Sequence, residues 1–223
     1  MLIIYYRDES ILSQYYLLKF YTLFDTIFLV IILLSIKKND IYEEIIKYSR
    51  FISLMFKVVS KDEVNYYLDE VKNKYPNATH YCYGYVIDND IRSSDNGEPS
   101  GTAGNPILNQ ITSNNLNYVL IIVVRYFGGV KLGAGPLTRA YAKLAREVIK
   151  KENIITLVTG YDIDILFNYS DIKDIDYILG NSKILNKEFN DIVKYNVYVN
   201  TEVLNKLSNF DVQINKEIYI EKE

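Results

Sequence analysis

An α+β fold in two domains is what this sequence predicts. Three observations lead there. Short runs rich in Ile, Val, Tyr and Phe alternate with segments whose apolar residues recur at i, i+3, i+4 and i+7, so strands and helices are mixed along the chain. The charge changes sign near Lys151–Gly160. Beyond that boundary the remaining elements read β-α-β-β-α-β, the split β-α-β or ferredoxin-like plan. A 49% apolar share over 223 residues is enough for a real core, in one large domain or two small ones.

Residues 1–40 differ from the rest. Leu17 to Ile36 is mostly apolar, interrupted by Lys19 and Asp25, and is followed by Lys37-Lys38. Three readings compete: a start-site artefact or loose extension, a membrane anchor with the globular part on the cytoplasmic side, and an extra packed helix. The domains are then expected at 41–155 and 160–223. A membrane partner is expected only if residues 17–36 are a genuine anchor. Otherwise the cytoplasm is the natural compartment.

From Asp40 the elements follow in order. Ile45 to Val59 reads as a strand or bent strand pair with Lys47 and Arg50 outward. Ser60 and Glu63 form a capping box, and Val64, Tyr67, Leu68 and Val71 follow at helical spacing until Tyr75-Pro76. His80 to Asp88 is a second strand, with Asn89-Asp90 as a turn. A short helix is expected from Pro106 to Ile111. Tyr118 to Val124 is a continuous apolar run, as in a strand buried on both faces. Pro136 is placed as the first residue of a helix reaching Lys151, which buries Leu137, Ala140, Tyr141, Leu144, Ala145 and Val148. In the last third, Tyr161–Phe167, Ile184–Phe189, Ile192–Val199 and Val212–Ile220 are strands. Ile172, Ile175, Ile178 and Leu179 mark one helix face. Thr201–Leu207 is a short helix capped by Asn200 or Thr201.

Function concentrates between Asp95 and Tyr141. Seven of the ten glycines and three of the four prolines lie between Gly97 and Pro136. One loop holds Asp95, Gly97, Glu98, Ser100, Gly101, Thr102 and Gly104. The other holds Gly128, Gly129, Gly133 and Gly135. Glycine at such density marks left-handed backbone or close approach to another group. The net charge of −3 hides a segregation: residues 92–151 carry eight Lys/Arg against three acids, and residues 160–223 carry seven against twelve. Arg139, Lys143, Arg146 and Lys150 fall within roughly 60° on one helix face, with Arg125 and Lys131 in the same segment. Those six cations are the candidate contacts to a polyanion.

Other chemistries are poorly served. One cysteine, Cys82, excludes an internal disulfide and any cysteine metal cluster. One histidine, His80, excludes a multi-histidine site. No Walker pattern is present, and Gly133-Ala134-Gly135 lacks the third glycine of a dinucleotide fingerprint, since position 138 is Thr138. Asp95 and Glu98 could act as paired carboxylates. The structural alternative is that Asp95 caps a turn and Glu98 pairs with Arg92 or Arg125. Glu98 as a base, with Ser100 or Thr102 holding substrate, are the candidates for catalysis. No cofactor and no metal are expected.

The segments Ser94–Gly104 and Arg125–Gly135 resemble the paired motifs of the IMPACT (YigZ) family in its bacterial-type architecture. Leu137 and Arg139-Ala140-Tyr141 extend the second, and Ser49–Ile52 and Ala78–Tyr83 are weaker upstream matches. Asn96 stands where Asp is usual, and Pro136 where glycine is frequent. The resemblance covers roughly Glu44 to the C-terminus. It implies a ribosomal-protein-S5 domain-2-like N-terminal domain, a sheet with helices on one side, followed by a ferredoxin-like domain. Eukaryotic members regulate translation through stress-kinase signalling, using an added N-terminal interaction domain. Nothing in residues 1–40 resembles that domain, so that regulation is not carried over. The family's folds are similar to RNA-binding and ribosome-associated modules, which implies a translation-associated role with RNA or the ribosome as partner. The alternative is a small-molecule enzyme or ligand-binding protein with its site between residues 95–104 and 125–135. Oligomeric state is not legible.

Overall fold

The computed structural model describes residues 32–222, which fall into two compact units divided between Ile155 and Thr156. The anchor, artefact and packed-helix readings lie mainly on residues 1–31, outside the described residues. The end of that apolar run is not helical: Ile32–Ile36 is strand β1. Among the described residues, no helix is long and apolar enough to cross a membrane.

The first unit is built on a five-stranded antiparallel sheet. Its strands are β2 (Asp40–Ile46), β3 (Ser49–Lys57), β4 (His80–Ile87), β5 (Asp90–Ser94) and β6 (Val119–Tyr126), in the order β2-β3-β6-β4-β5. β2 and β3 form a hairpin whose two turn residues, Lys47 and Tyr48, have φ of 44° and 67°. Such values match the tight primed turns that suit strand twist. β4 and β5 form a second hairpin over Asp88-Asn89, one residue earlier than the sequence suggests. β5 itself is not legible, because Ile91 is the only apolar residue in Asp-Ile-Arg-Ser-Ser.

The helices are α1 (Lys61–Lys74), α2 (Gly104–Ser113) and α3 (Ala134–Val148). The side-chain oxygen of Ser60 accepts the Glu63 N–H, and Glu63 reaches back to the Val59 N–H, one residue beyond the expected partner. α2 and α3 cover one face of the sheet, sharing a core with Phe51, Met55, Ile121 and Val123. Gly84 makes this possible for α2, because a Cβ there would lie 2.9 Å from the Leu108 backbone. α1 departs from the implied one-sided arrangement. Phe56 points away from Met55 along β3, and Tyr67 of α1 stacks on it at 4.3 Å. α2 begins two residues before Pro106, and α3 is capped at Gly133, so Pro136 is its third residue rather than its first.

The second unit contains β7 (Ile154–Phe167, from Thr156 onward), α4 (Ile172–Leu179), β8 (Lys183–Phe189), β9 (Val193–Asn200), α5 (Thr201–Lys206) and β10 (Asp211–Glu221). Its strands pair antiparallel in the order β10-β7-β9-β8. That is the ferredoxin-like topology, with the second hairpin strand inserted beside the first. Ile163, Ile165, Phe167, Val193, Tyr195, Val197 and Val199 alternate onto one face and bury Ile175, Leu179 and Leu207. Asn200 caps α5 through the Val203 N–H.

Candidate functional site

Asp95 organises the first motif loop. Its carboxylate accepts the backbone N–H groups of Gly101, Ala103 and Gly104 at 2.8–2.9 Å, at the start of α2. Burial pushes this carboxyl up, but those three bonds outweigh it and hold it below the ordinary aspartate value. Asn96-Gly97 then makes a tight turn closed by the Glu98 N–H on Asp95 O at 3.0 Å. The turn aims Glu98 inward.

Glu98 lies at the centre of a buried polar cluster. Its Oε1 accepts from Arg125 Nη1 at 2.6 Å and from the Tyr141 hydroxyl at 2.7 Å. Its Oε2 lies 3.7 Å from His80 Nε2. His80 Nδ1 lies 2.9 Å from Asn96 O, and a carbonyl only accepts, so Nδ1 carries the proton. Cys82 Sγ is 2.9 Å from Asp95 O and 3.4 Å from the Tyr141 oxygen. Burial pushes the Cys82 thiol up to about 12, and burial likewise raises the Tyr141 phenol. A thiol held protonated in this way is not a nucleophile at neutral pH.

Arg125 was expected on the polyanion-binding surface, and the structure corrects this. Its side chain is 5% exposed. The alternation of β6 turns it onto the helix-covered face opposite Phe51, with its guanidinium 5.2 Å from the Phe51 ring and 5.4 Å from Phe127. Glu98 therefore answers Arg125, while Arg92 pairs with Asp90. For Glu98 to act as a base it would first have to release two donors. Ser100 is exposed, and Thr102 donates its hydroxyl to Pro99 O at 2.6 Å.

The basic stripe on α3 is narrower than its spacing suggests. Lys143 is paired with Glu44 of β2 at 2.5 Å, Lys150 with Asp40 at 2.8 Å, and Arg146 with its neighbour Glu147 at 3.0 Å. Lys131 and Arg139 are exposed and have no acidic partner among the described residues. Both flank the start of α3. There no side chain caps the helix, no acid occupies the first turn, and the first helical bond runs from Leu137 N–H to Gly133 O. Helical spacing places Tyr141 in the core but does not show its bond to Glu98. A buried tyrosine hydroxyl that needs a partner was the available signal.

Comparison with known proteins agrees with this layout. The Impact N-terminal domain matches residues 47–149. The Bacillus subtilis (strain 168) IMPACT family member YvyE is 32% identical over 185 residues, 81% of this chain and 85% of the relative. Escherichia coli (strain K12) YigZ is 29% identical over 153 residues, 66% of this chain and 75% of the relative. A crystal structure of a hypothetical protein aligns with a TM-score of 0.60 at 26% identity, covering 86% of this chain and 98% of its own. Motifs, fold and relatives converge, and the chain belongs to the IMPACT family.

Proposed function

We propose that this protein is a translation-associated regulator that binds RNA or the ribosome through the positive end of α3. The observation that carries this reading is the pair Lys131 and Arg139, exposed beside an uncapped helix start and without acidic partners among the described residues. The N–H groups of Ala134 and Gly135 precede the first helical bond, and the helix dipole adds positive potential at the same place. Phosphate oxygens suit such a surface. Lys143, Arg146 and Lys150 contribute less, since Glu44, Glu147 and Asp40 already offset them. The likeness of the family's folds to RNA-binding and ribosome-associated modules supports the choice of RNA over other polyanions.

The test is fluorescence anisotropy with an unstructured RNA oligonucleotide over a salt series. Log affinity should fall with log salt at about −0.7 per phosphate contact. Lys131→Glu with Arg139→Glu should weaken binding by at least roughly tenfold and flatten the slope by about 1.4. Lys143→Glu should do less. Affinity unchanged in the double variant refutes the reading.

A further inference from the structure

The geometry points to a base-stacking platform for single-stranded RNA, formed by Tyr48 and Phe127 and bordered by Lys47 and Lys131; this deepens the RNA reading above and rests on it. Tyr48 is 79% exposed and Phe127 43%, and neighbouring Val130 is 41% exposed. These residues come from different elements, the β2–β3 turn and the loop after β6, yet the two loops are fastened together. A Cβ on Gly128 would fall 2.1 Å from the Tyr48 carbonyl carbon and oxygen, so only glycine lets the backbones touch. Ser49 Oγ accepts the Gly128 N–H at 3.2 Å and sits 3.4 Å from Arg125 Nη2. The Phe127 N–H donates to Thr79 Oγ1 at 3.0 Å.

Each ring is also held in a way that packing alone does not explain. Tyr48 adopts left-handed backbone at φ 67°, beside Lys47 at φ 44°, positions where glycine or asparagine would be less strained. A large aromatic kept on strained backbone and turned to solvent fits a binding role. Phe127 has the Arg125 guanidinium 5.4 Å from its ring centroid while remaining partly exposed. A rigid ring costs little entropy to use. Lys47 and Lys131 are exposed and have no acidic partner among the described residues. Aromatic faces interleaved with unpaired cations suit unstacked bases with their phosphates, whereas duplex RNA offers phosphates but no free base faces.

The experiment compares an unstructured RNA oligonucleotide with its duplex, in the whole protein and in three variants. Tyr48→Asn suits the left-handed backbone, Phe127→Ser removes the second ring, and Tyr48→Phe retains a ring. Single strand should bind more tightly than duplex. Tyr48→Asn and Phe127→Ser should each weaken single-strand binding on the order of tenfold without changing the salt slope, and Tyr48→Phe should bind as the parent does. Duplex preference, or single-strand affinity unchanged in both ring-deleted variants, overturns the platform. If Lys131→Glu with Arg139→Glu still abolishes binding in that case, the electrostatic reading stands without it. No RNA binding by the parent protein overturns both the platform and the RNA arm of the reading above.

Discussion

Arg125 shows how a charge can be misread when its position along a strand is ignored. In the sequence it belongs to a basic segment. In the fold it closes the end of β6, flanked by two phenylalanine rings, with Glu98 and Ser49 as polar partners. The segment Tyr118–Val124 was legible as a buried strand. The burial of the next residue was not, because it depends on Phe51 across the sheet and Glu98 from a distant loop. Similarly, the acids that offset Lys143 and Lys150 lie on β2, about a hundred positions away in sequence. Replacing Arg125 with Met should leave Glu98 buried with its charge uncompensated, and cost about 3–5 kcal/mol in a denaturant titration. Adding Glu98→Gln to that variant should recover a substantial part. A double-mutant cycle with no coupling between the two positions would contradict the pair.

At the scale of elements, strong periodicity was readable and weak periodicity was not. α1, α3 and α4 emerge near their observed bounds because one face is plainly apolar, whereas β7 begins at Ile154 rather than at the expected Tyr161 and β8 is exposed along its whole length. β5 has a single apolar residue, and the first turn of α2 is held by Asp95 rather than by its own pattern. The motif loop is thus fixed by one carboxylate with three backbone partners. Asp95→Asn should cost about 1–3 kcal/mol, since it weakens bonds to buried N–H groups. The pH dependence has a definite sign. Asp95 titrates lower in the folded state than in the unfolded chain. Its contribution is therefore present above the ordinary aspartate value and lost as pH falls through the depressed folded one. Stability measured against pH should decline less steeply on the acid side in Asp95→Asn than in the parent; parallel acid limbs would count against the three-bond anchor.

For the whole molecule, the two units have separate cores, and the positive end of α3 belongs to the first. A fragment spanning 156–223 should unfold cooperatively in urea and show no RNA binding in the anisotropy assay. A fragment that binds as tightly as the full chain would move the interface to the wrong unit. The strand order of the first unit has a consequence for how the chain is made. Both hairpins, β2–β3 and β4–β5, are complete once Ser94 has been synthesised, but their inner edges meet only on β6, which ends at Tyr126. At ribosomal speeds the emerging chain waits roughly a few seconds with two unsatisfied sheet edges before the strand that joins them arrives. Pausing between those codons would lengthen the exposure of both edges, and aggregation of the nascent chain would grow with it.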